Sequence, residues 1–416
     1  MKINNSLKSI VDNSFELFLK NFDKQFNENI ELVFYGASKD LAQLLESLDI
    51  LLKKKIKIAY IIDDQAQGEF NSIYHLNEAV YKPDGWVEPN QRTIKVTSSD
   101  LFFNKIFESK KFKIITTSDA NKNKYSQKLI SFGLKPQIDF FDYKEFATLI
   151  PFIKENKTHI WRADMMLTEK CTLNCTFCNM YMPHFKKPKH RDLNEIKSDL
   201  DKFFILVDYI SLFHLVGGEP LMYPKVNDVI DYVGSKYRDK IGRLLITTNG
   251  TLTPKEKTID LIKKYKLWVS VSDYTNEIKY ERRLKDTVNL LKENNVAHMV
   301  RKDISWNDFG HPEIIKFSKE EDVKRHFKKC TAPYKGINKG RYYFCHLNTS
   351  ANLAGLVPEN KNDFCELDEV DNLNLIKHDL GFLEKGYATF CKNCNGCNTG
   401  INLPVGPGKQ GLRENI

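Results

Sequence analysis

The stretch Cys171-Thr-Leu-Asn-Cys175-Thr-Phe-Cys178 carries three cysteines in a Cys-x₃-Cys-x₂-Cys spacing. A structural zinc site needs four protein ligands, so three thiolates on one short loop do not complete one. The same three thiolates can bind a cubane iron–sulfur cluster and leave one of its iron atoms open. The stretch therefore predicts a cluster whose open iron is a reaction site.

Two later loops agree with this interpretation. Gly217-Gly-Glu-Pro220 follows one apolar run of the sequence, and Thr247-Thr-Asn-Gly-Thr251 follows another. The cysteine triplet, the aromatic Phe177 before its last cysteine and the Gly-Gly-Glu-Pro loop together resemble the radical S-adenosylmethionine (SAM) superfamily. The resemblance extends over residues 160–305.

The resemblance implies that Cys171, Cys175 and Cys178 bind a [4Fe–4S] cluster whose open iron is chelated by the amino and carboxylate groups of SAM. One electron from the cluster would then release a 5′-deoxyadenosyl radical, which takes a hydrogen atom from the substrate. In such enzymes the cofactor carries the hard chemistry and the protein supplies binding and orientation.

The resemblance also implies a set of SAM contacts. Gly217 and Gly218 have no side chains, so their backbone can approach the methionine moiety closely. Glu219 would accept a charge-assisted hydrogen bond from the SAM ammonium. Other residues at strand ends stand where ribose or carboxylate contacts are usual, or else serve only turn chemistry: Asn249, Ser270, Ser272, Asp273 and Arg301.

The composition is that of a soluble protein with two to three domains in 416 residues, of which 41% are hydrophobic and 28% are charged. No apolar run is long enough for a membrane span, and the first residues lack a signal-peptide core. Nine cysteines, an odd number, favour thiolate ligands in a reducing cytoplasm over disulfides. The net charge of +9 is spread over lysines along the chain, which predicts no nucleic-acid partner and permits an anionic substrate.

Residues 1–150 predict a Rossmann-like α/β domain with a helical N-terminus. A strand over 31–35 leads into Gly36 and a helix, and a second strand ends at Asp63. Only Gly36 stands where the dinucleotide fingerprint has three glycines. Nucleotide or nucleotide-sugar binding therefore remains one interpretation, and a purely structural domain is the other.

Residues 151–305 predict the radical SAM core, since strands alternate with amphipathic helices. One helix should begin after Asp192, and another should have Thr253 as its N-cap. Repeated βα units with functional residues at the strand ends predict a barrel with its site on that face. The resemblance implies a partial (β/α)₆ barrel of the TIM type. The basic run 184–191 is either a solvated surface or a site for an anionic group.

Residues 306–416 carry a second cysteine pattern, which predicts an auxiliary metal site. Its four thiolates would bind an iron–sulfur cluster or zinc. Cys330 and Cys345 flank a predicted hairpin, and Cys391 and Cys394 follow later in the chain. Next to a radical SAM core, the pattern resembles the Twitch domain, a shortened relative of the SPASM domain, and implies a second, auxiliary [4Fe–4S] cluster. Details of this region resemble radical SAM proteins of capsule and surface-polysaccharide clusters.

Three further residues are candidates for the chemistry. Cys365 and Cys397 are either incidental buried thiols or hydrogen-atom donors to a substrate radical. Tyr274 is a candidate catalytic base, and Asp273 is another.

These features predict a cytoplasmic radical SAM enzyme that dehydrogenates or epimerises a sugar or nucleotide sugar in surface-glycan biosynthesis. Its electrons would come from a flavodoxin- or ferredoxin-type donor. The alternative is a ribosomal-peptide maturase with the same core and auxiliary cluster. That alternative ranks second because residues 29–150 predict parallel α/β structure and not a winged-helix leader-binding domain. A cluster-bearing sensor is disfavoured, since a sensor has no need of the Gly-Gly-Glu-Pro loop.

Overall fold

A computed structural model describes most of the chain and forms two compact units. The described residues are 13–26, 30–36, 39–53, 58–64, 70–73, 80–81, 93–107, 111–117, 122–302, 305–332, 334–401 and 403–411. One unit comprises residues 1–75 and 90–157, and the other comprises residues 76–89 and 158–416.

The first unit is an α/β sheet with flanking helices. Its elements, together with the short strand β4 of the second unit, are α1 (Asn13–Gln25), β1 (Glu31–Tyr35), α2 (Lys39–Leu52), β2 (Ile58–Ile62), β3 (Phe70–Ile73), β4 (Val80–Tyr81), β5 (Thr93–Thr97), α3 (Ser99–Lys105), β6 (Phe112–Thr116), α4 (Lys122–Ser131), β7 (Phe140–Asp142) and α5 (Tyr143–Glu155). The boundary predicted at residue 150 falls inside α5.

The sheet of the first unit has the order β3-β5-β2-β1-β6-β7. All neighbouring strands are parallel except β3, which pairs antiparallel with β5. Every residue of β6 is buried, as expected for a parallel strand covered on both faces. The strand order reverses at β1, which lies between β2 and β6, and doubly wound folds place their ligands at such a point.

The second unit contains the remaining elements. They are β8 (His159–Met166), α6 (Leu193–Leu206), β9 (Tyr209–Val216), α7 (Val226–Tyr237), β10 (Ile241–Thr248), α8 (Glu256–Lys264), β11 (Trp268–Ser272), α9 (Glu281–Glu293), β12 (His298–Arg301), β13 (Trp306–Asn307), α10 (Glu320–Lys329), β14 (Gly336–Asn338), β15 (Arg341–Tyr343), α11 (His346–Leu353), β16 (Phe364–Glu366), α12 (Asn372–Asp379) and β17 (Pro404–Val405).

A nine-stranded sheet forms the frame of this unit, in the order β16-β15-β14-β8-β9-β10-β11-β12-β4. Strands β8 to β12 are parallel and adjacent in sequence order, which agrees with a partial barrel. In the described part of the chain, five of the six expected barrel strands follow one another, and antiparallel β4 lies beside β12. Strand β14 pairs parallel with β8, so residues from beyond 305 extend the same sheet.

The helices of the core begin and pack largely as their sequences predict. Asp192 is the N-cap of α6, where its carboxylate accepts hydrogen bonds from the backbone N–H groups of Asn194 and Glu195. The prediction for α8 is wrong by two residues, because Lys255 is its N-cap. The side chain of Thr253 lies instead 3.3 Å from the hydroxyl of Thr287 on α9.

The main hydrophobic core lies between the barrel strands and helices α6 to α9. Burial of these apolar faces holds the strands in register and brings their carboxyl ends to one edge of the sheet. Within the described residues, no helix has the length and apolarity that crossing a bilayer requires.

Candidate active site

The cysteine triplet lies on the loop that follows β8, at the carboxyl end of the first barrel strand. Cys175 is 6% exposed, and its carbonyl accepts a hydrogen bond from the backbone N–H of Cys178 at 3.0 Å. Burial, with a smaller contribution from the nearby Cys178, raises the pKa of Cys171 and Cys175 to about 12. A cationic metal centre reverses this effect, because a coordinated thiol loses its proton.

The two glycines after β9 allow the next loop to lie directly on the cysteine loop. A Cβ atom on Gly218 would lie 2.3 Å from the carbonyl oxygen of Lys170 and 2.9 Å from the Cβ of Cys171. A Cβ atom on Gly217 would lie 2.7 Å from the carbonyl oxygen of Thr168. Both positions therefore require glycine, irrespective of any ligand.

Glu219 joins the loops that follow β9 and β10. Its side chain is fully buried, and its two oxygens accept hydrogen bonds from the backbone N–H groups of Leu221 at 3.0 Å and Asn249 at 2.8 Å. Burial raises its pKa to about 7, although these N–H groups oppose the shift. The geometry thus assigns Glu219 a structural role, and its contact with a SAM ammonium stays a prediction.

Asn249 lies against the cysteine loop. Its Nδ2 donates to the hydroxyl of Thr172 at 3.0 Å and lies 3.7 Å from Cys171 Sγ. Its Oδ1 accepts from the backbone N–H of Thr251 at 3.0 Å and from the hydroxyl of the same residue. These bonds fix the Asn249 side chain beside a predicted cluster ligand.

The remaining predicted SAM contacts lie at the carboxyl ends of β11 and β12. Ser270 is buried, and its hydroxyl has no hydrogen-bond partner among the described residues. Asp273 accepts hydrogen bonds from the backbone N–H and the hydroxyl of Thr275, which is turn chemistry. The backbone of Arg301 accepts from the Asp273 N–H at 2.9 Å, and Ser272 is buried beside them.

Tyr274 stands next to these residues, and its ring contacts Trp306 edge-on at 5.4 Å between centroids. Burial raises the pKa of its hydroxyl strongly, so the group remains protonated near neutral pH. A protonated phenol can donate a hydrogen bond but is a poor base. The Tyr274 hydroxyl is therefore better suited to donate a hydrogen bond to a substrate than to act as the predicted base.

The residues of the first site fit a [4Fe–4S] cluster with SAM on two structural grounds. Three free thiols lie on one loop, Cys175 buried and the other two partly buried, and the hydroxyl of Ser270 within β11 has no partner among the described residues. Among the residues that the structure describes, no group of three or more His, Cys, Asp or Glu side chains is arranged around a single metal ion. A cubane differs from such a site because each thiolate binds a different iron atom.

The four auxiliary cysteines meet in a second buried region. Cys345 is the N-cap of α11, and Cys391 lies in a short 3₁₀ helix over 389–392. Burial raises the pKa of Cys391 well above its usual range, and the charges of the other three auxiliary thiols raise it further. The predicted hairpin is confirmed as β14 and β15, and it separates Cys330 from Cys345.

Backbone amides point at two of the auxiliary sulfurs. The N–H of Gly396 donates to Cys394 Sγ at 3.2 Å, and the N–H of Cys397 donates to Cys330 Sγ at 3.4 Å. Such N–H···S bonds stabilise thiolate ligands of iron–sulfur clusters. The donor set fits the predicted auxiliary cluster, which stays a proposal.

The two remaining cysteines occupy different places. Cys397 belongs to the auxiliary region, where its Sγ accepts a hydrogen bond from Asn307 Nδ2 at 3.4 Å. Cys365 lies on β16, where it pairs with Tyr342 and packs against the main core. Burial raises the pKa of Cys365 to about 12, which keeps it a thiol. Cys397 is thus the one of the two that adjoins a candidate cluster.

A buried polar network on the barrel strands was missed by the sequence-based reasoning. Arg162 Nε donates to Asp164 Oδ1 at 2.8 Å, and His346 Nδ1 lies 2.5 Å from Asp164 Oδ2. Asp164 is fully buried, and its cationic neighbours hold its pKa well below the usual range although burial opposes them. The sequence did carry a signal, since two charges at i and i+2 share one face of an otherwise apolar strand.

A cleft of mixed charge lies beside the loop that follows β8. Its volume is about 940 Å³, and its lining includes four lysines and three glutamates: Lys186, Lys187, Lys189, Lys339, Glu169, Glu313 and Glu359. Three of these lysines come from the basic run that the sequence places after the cysteine triplet. The run therefore lines a cleft, which agrees with a site for an anionic group.

In the first unit, protein groups pack against Gly36 and bind Asp64. A Cβ atom on Gly36 would lie 2.8 Å from Tyr125 Cε2, and the Tyr125 ring stacks on Tyr35 at 4.2 Å. Asp64, next to the predicted Asp63, accepts hydrogen bonds from Tyr35 Oη at 2.7 Å and Ser99 Oγ at 2.5 Å. These contacts favour the structural interpretation of the unit.

Comparison with known proteins supports the core assignment. Residues 165–299 match the family model of the Radical SAM superfamily, and they lie inside the range 151–305 predicted for the core. Proteins of this superfamily bind a [4Fe–4S] cluster and SAM. A stretch of 105 residues is 30% identical to the antilisterial bacteriocin subtilosin biosynthesis protein AlbA of Bacillus subtilis (strain 168), over 25% of this chain. The match spans 21% of the length of that relative.

Solved structures with a similar arrangement include BtrN in complex with AdoMet and 2-DOIA, at a TM-score of 0.38 and 15% identity over 56% of this chain and 92% of that chain. Streptococcus suis SuiB bound to precursor peptide SuiA has a TM-score of 0.33 and 13% identity over 68% of this chain and 85% of that chain. Native anSMEcpe with bound AdoMet and Kp18Cys peptide has a TM-score of 0.39 and 13% identity over 57% of this chain and 89% of that chain.

Proposed function

We propose that this chain is a radical SAM enzyme that cleaves SAM reductively and modifies a ribosomally made peptide. The observation that carries the first part is the placement of Cys171, Cys175 and Cys178 on the β8 loop, inside the matched domain. When bound, the cluster and SAM supply a 5′-deoxyadenosyl radical that abstracts a hydrogen atom from substrate.

The chain's own residues would bind the cluster and orient SAM. The cysteine thiolates hold the cluster, while Gly217 and Gly218 let the second loop pack on the first. Glu219 ties this loop to the one after β10 through two backbone hydrogen bonds. The unpartnered hydroxyl of Ser270 is a candidate hydrogen-bonding group for SAM.

A second, auxiliary [4Fe–4S] cluster belongs to this proposal. Its ligands would be the four buried or partly buried thiols of Cys330, Cys345, Cys391 and Cys394, whose charges act on one another. Such a cluster could bind the substrate or accept an electron from it, and electrons for the first cluster would come from a flavodoxin- or ferredoxin-type donor.

The peptide substrate is supported by the likeness to AlbA, a protein of bacteriocin biosynthesis. The cleft of about 940 Å³ on the loop that follows β8 carries four lysines among three glutamates, and these lysines would suit acidic side chains of a peptide. The likeness to AlbA gives no comparable support to a sugar substrate.

A sugar or nucleotide sugar remains the second candidate, because one observation favours it. The first unit is a mainly parallel α/β sheet whose strand order reverses at β1, and it is not a winged helix. Surface-glycan dehydrogenation or epimerisation would then be the reaction. Of the two candidate hydrogen donors, Cys397 is the one that contacts an auxiliary cysteine, Cys330.

The test is anaerobic. The protein is reconstituted with iron and sulfide, reduced with dithionite and given SAM, and 5′-deoxyadenosine is measured alone, with a library of synthetic peptides and with a pool of nucleotide sugars. We expect a rise with peptides that Cys175→Ala abolishes. If 5′-deoxyadenosine rises with sugars and not with peptides, the substrate is a sugar or nucleotide sugar. The absence of 5′-deoxyadenosine in every arm overturns the radical SAM assignment.

A further inference from the structure

The segment 403–411, here called the strap, runs from the auxiliary region to the cysteine loop. It begins at β17, which pairs antiparallel with β13, so that Val405 lies opposite Trp306. Its Gly408 lies against Tyr274, because a Cβ atom there would be 2.8 Å from the Tyr274 Cβ. The strap then reaches the loop that carries the three predicted cluster ligands.

At that loop the strap forms a short antiparallel bridge, in which Gln410 lies opposite Cys175. The N–H of Thr176 donates to the carbonyl of Lys409 at 2.7 Å, and the N–H of Gly411 donates to the carbonyl of Asn174 at 2.8 Å. Two backbone bonds therefore fix the strap in register on the loop.

The side chain of Gln410 uses both ends of its amide. Its Oε1 accepts a hydrogen bond from the Asn174 N–H at 2.7 Å, and its Nε2 donates to the Gly408 carbonyl at 2.6 Å. The same Nε2 lies 3.3 Å from Cys175 Sγ and donates to it. The amide cannot be flipped, because a flip would set oxygen against a carbonyl and NH₂ against an N–H.

We propose that Gln410 is a positioning residue of the first cluster, which raises the reduction potential of the cluster through its hydrogen bond to Cys175 Sγ. This inference rests on the proposed function. Hydrogen bonds to cluster sulfurs set the potential, since an N–H dipole stabilises the extra electron of the reduced cluster. Groups that hold a ligand in this way tune a metal centre without touching it.

The test compares full-length variants after anaerobic reconstitution. Gln410→Met removes the N–H donor, and Gln410→Glu also removes it but keeps an oxygen for the Asn174 N–H. The control Thr176→Val removes only the hydroxyl bond to the Gly411 carbonyl. The readouts are iron content and a potentiometric titration of the electron paramagnetic resonance signal that changes when SAM is added.

We expect both Gln410 variants to lower the ratio of reduced to oxidised cluster about tenfold at a fixed potential, which is a shift of about 59 mV for one electron. Thr176→Val should keep the wild-type potential. Wild-type potentials in both Gln410 variants, with iron retained, would overturn the inference and leave the proposed function intact. A wild-type protein that binds no SAM-responsive cluster would overturn the proposed function itself. If Gln410→Met alone loses iron, Gln410→Glu decides the outcome. A retained cluster with a lower potential in Gln410→Glu supports the inference, and an unchanged potential in that variant overturns the inference.

Discussion

Arg162 donates a hydrogen bond to His214 across the first two barrel strands, with 3.0 Å between Nη2 and Nδ1. A guanidinium can only donate, so this shorter contact assigns His214 Nδ1 as an acceptor on a neutral ring, with Asp164 Oδ1 farther away at 3.4 Å. Its Nε2–H then donates to the hydroxyl of Thr247 at 2.7 Å. The pKa of His214 agrees, because burial lowers it from 6.5 to about 4, although Asp164 opposes the shift.

This neutral histidine predicts acid sensitivity. Its pKa is lower in the folded state, so the unfolded state takes up the proton first and the free energy of unfolding falls as the pH drops from 6.5 to about 4. The loss should reach up to about 3 kcal/mol, at 1.36 kcal/mol per pKa unit. His214→Gln can keep both hydrogen bonds without titrating. Urea unfolding at several pH values should show a smaller loss of unfolding free energy in His214→Gln than in the wild type. The same dependence on pH in both proteins would contradict a neutral His214.

Variants of a predicted cluster ligand and of a cysteine outside the clusters should differ in iron content. Cys175→Ala removes a ligand of the first cluster, and we expect a loss of about four iron atoms per chain after reconstitution. Cys365→Ala should retain the full iron content, because Cys365 lies on β16 with its Sγ 3.8 Å from the Tyr342 carbonyl. Iron and sulfide assays check this. Equal iron loss in both variants would place Cys365 among the ligands.

The close packing of the two loops predicts a large effect at Gly218. Gly218→Ala would bring a Cβ atom to 2.3 Å from the Lys170 carbonyl and must displace the cysteine loop. We expect the SAM affinity to fall at least about tenfold, which corresponds to 1.4 kcal/mol. Gly406→Ala is the control, since its Cβ would meet nothing closer than Glu277 Oε1 at 3.9 Å. Equilibrium dialysis with SAM measures both, and wild-type affinity in Gly218→Ala would refute the packing.

The strands beyond residue 305 should contribute to the stability of the barrel unit. Tyr342 on β15 is fully buried, stacks near Phe203 of α6 and donates to Asp379 Oδ1 at 2.6 Å. Among the described residues, Tyr342→Phe leaves that carboxylate with the longer ion pair to Lys335, at 3.8 Å. We expect the free energy of unfolding to fall by about 1–3 kcal/mol. A change below about 0.5 kcal/mol, the range of surface substitutions, would argue against the buried bond.

Local patterns in the sequence were sufficient for much of the core. The triplet at Cys171, the loop at Gly217 and the helix that begins after Asp192 depend on residues a few positions apart, whose spacing carries the signal. The hairpin between Cys330 and Cys345 was predictable for the same reason. The domain match at 165–299 agrees with the range that these patterns indicated.

The sequence by itself determined the cysteine loop, the alternation of strands and helices and the class of chemistry, because each is written in neighbouring residues. Only the tertiary structure placed Gln410 on Cys175, 235 positions away, and His346 beside Asp164. It also set β14 next to β8 in the same sheet. Contacts between distant residues depend on strand register and on the packing of whole elements, and no local periodicity encodes either.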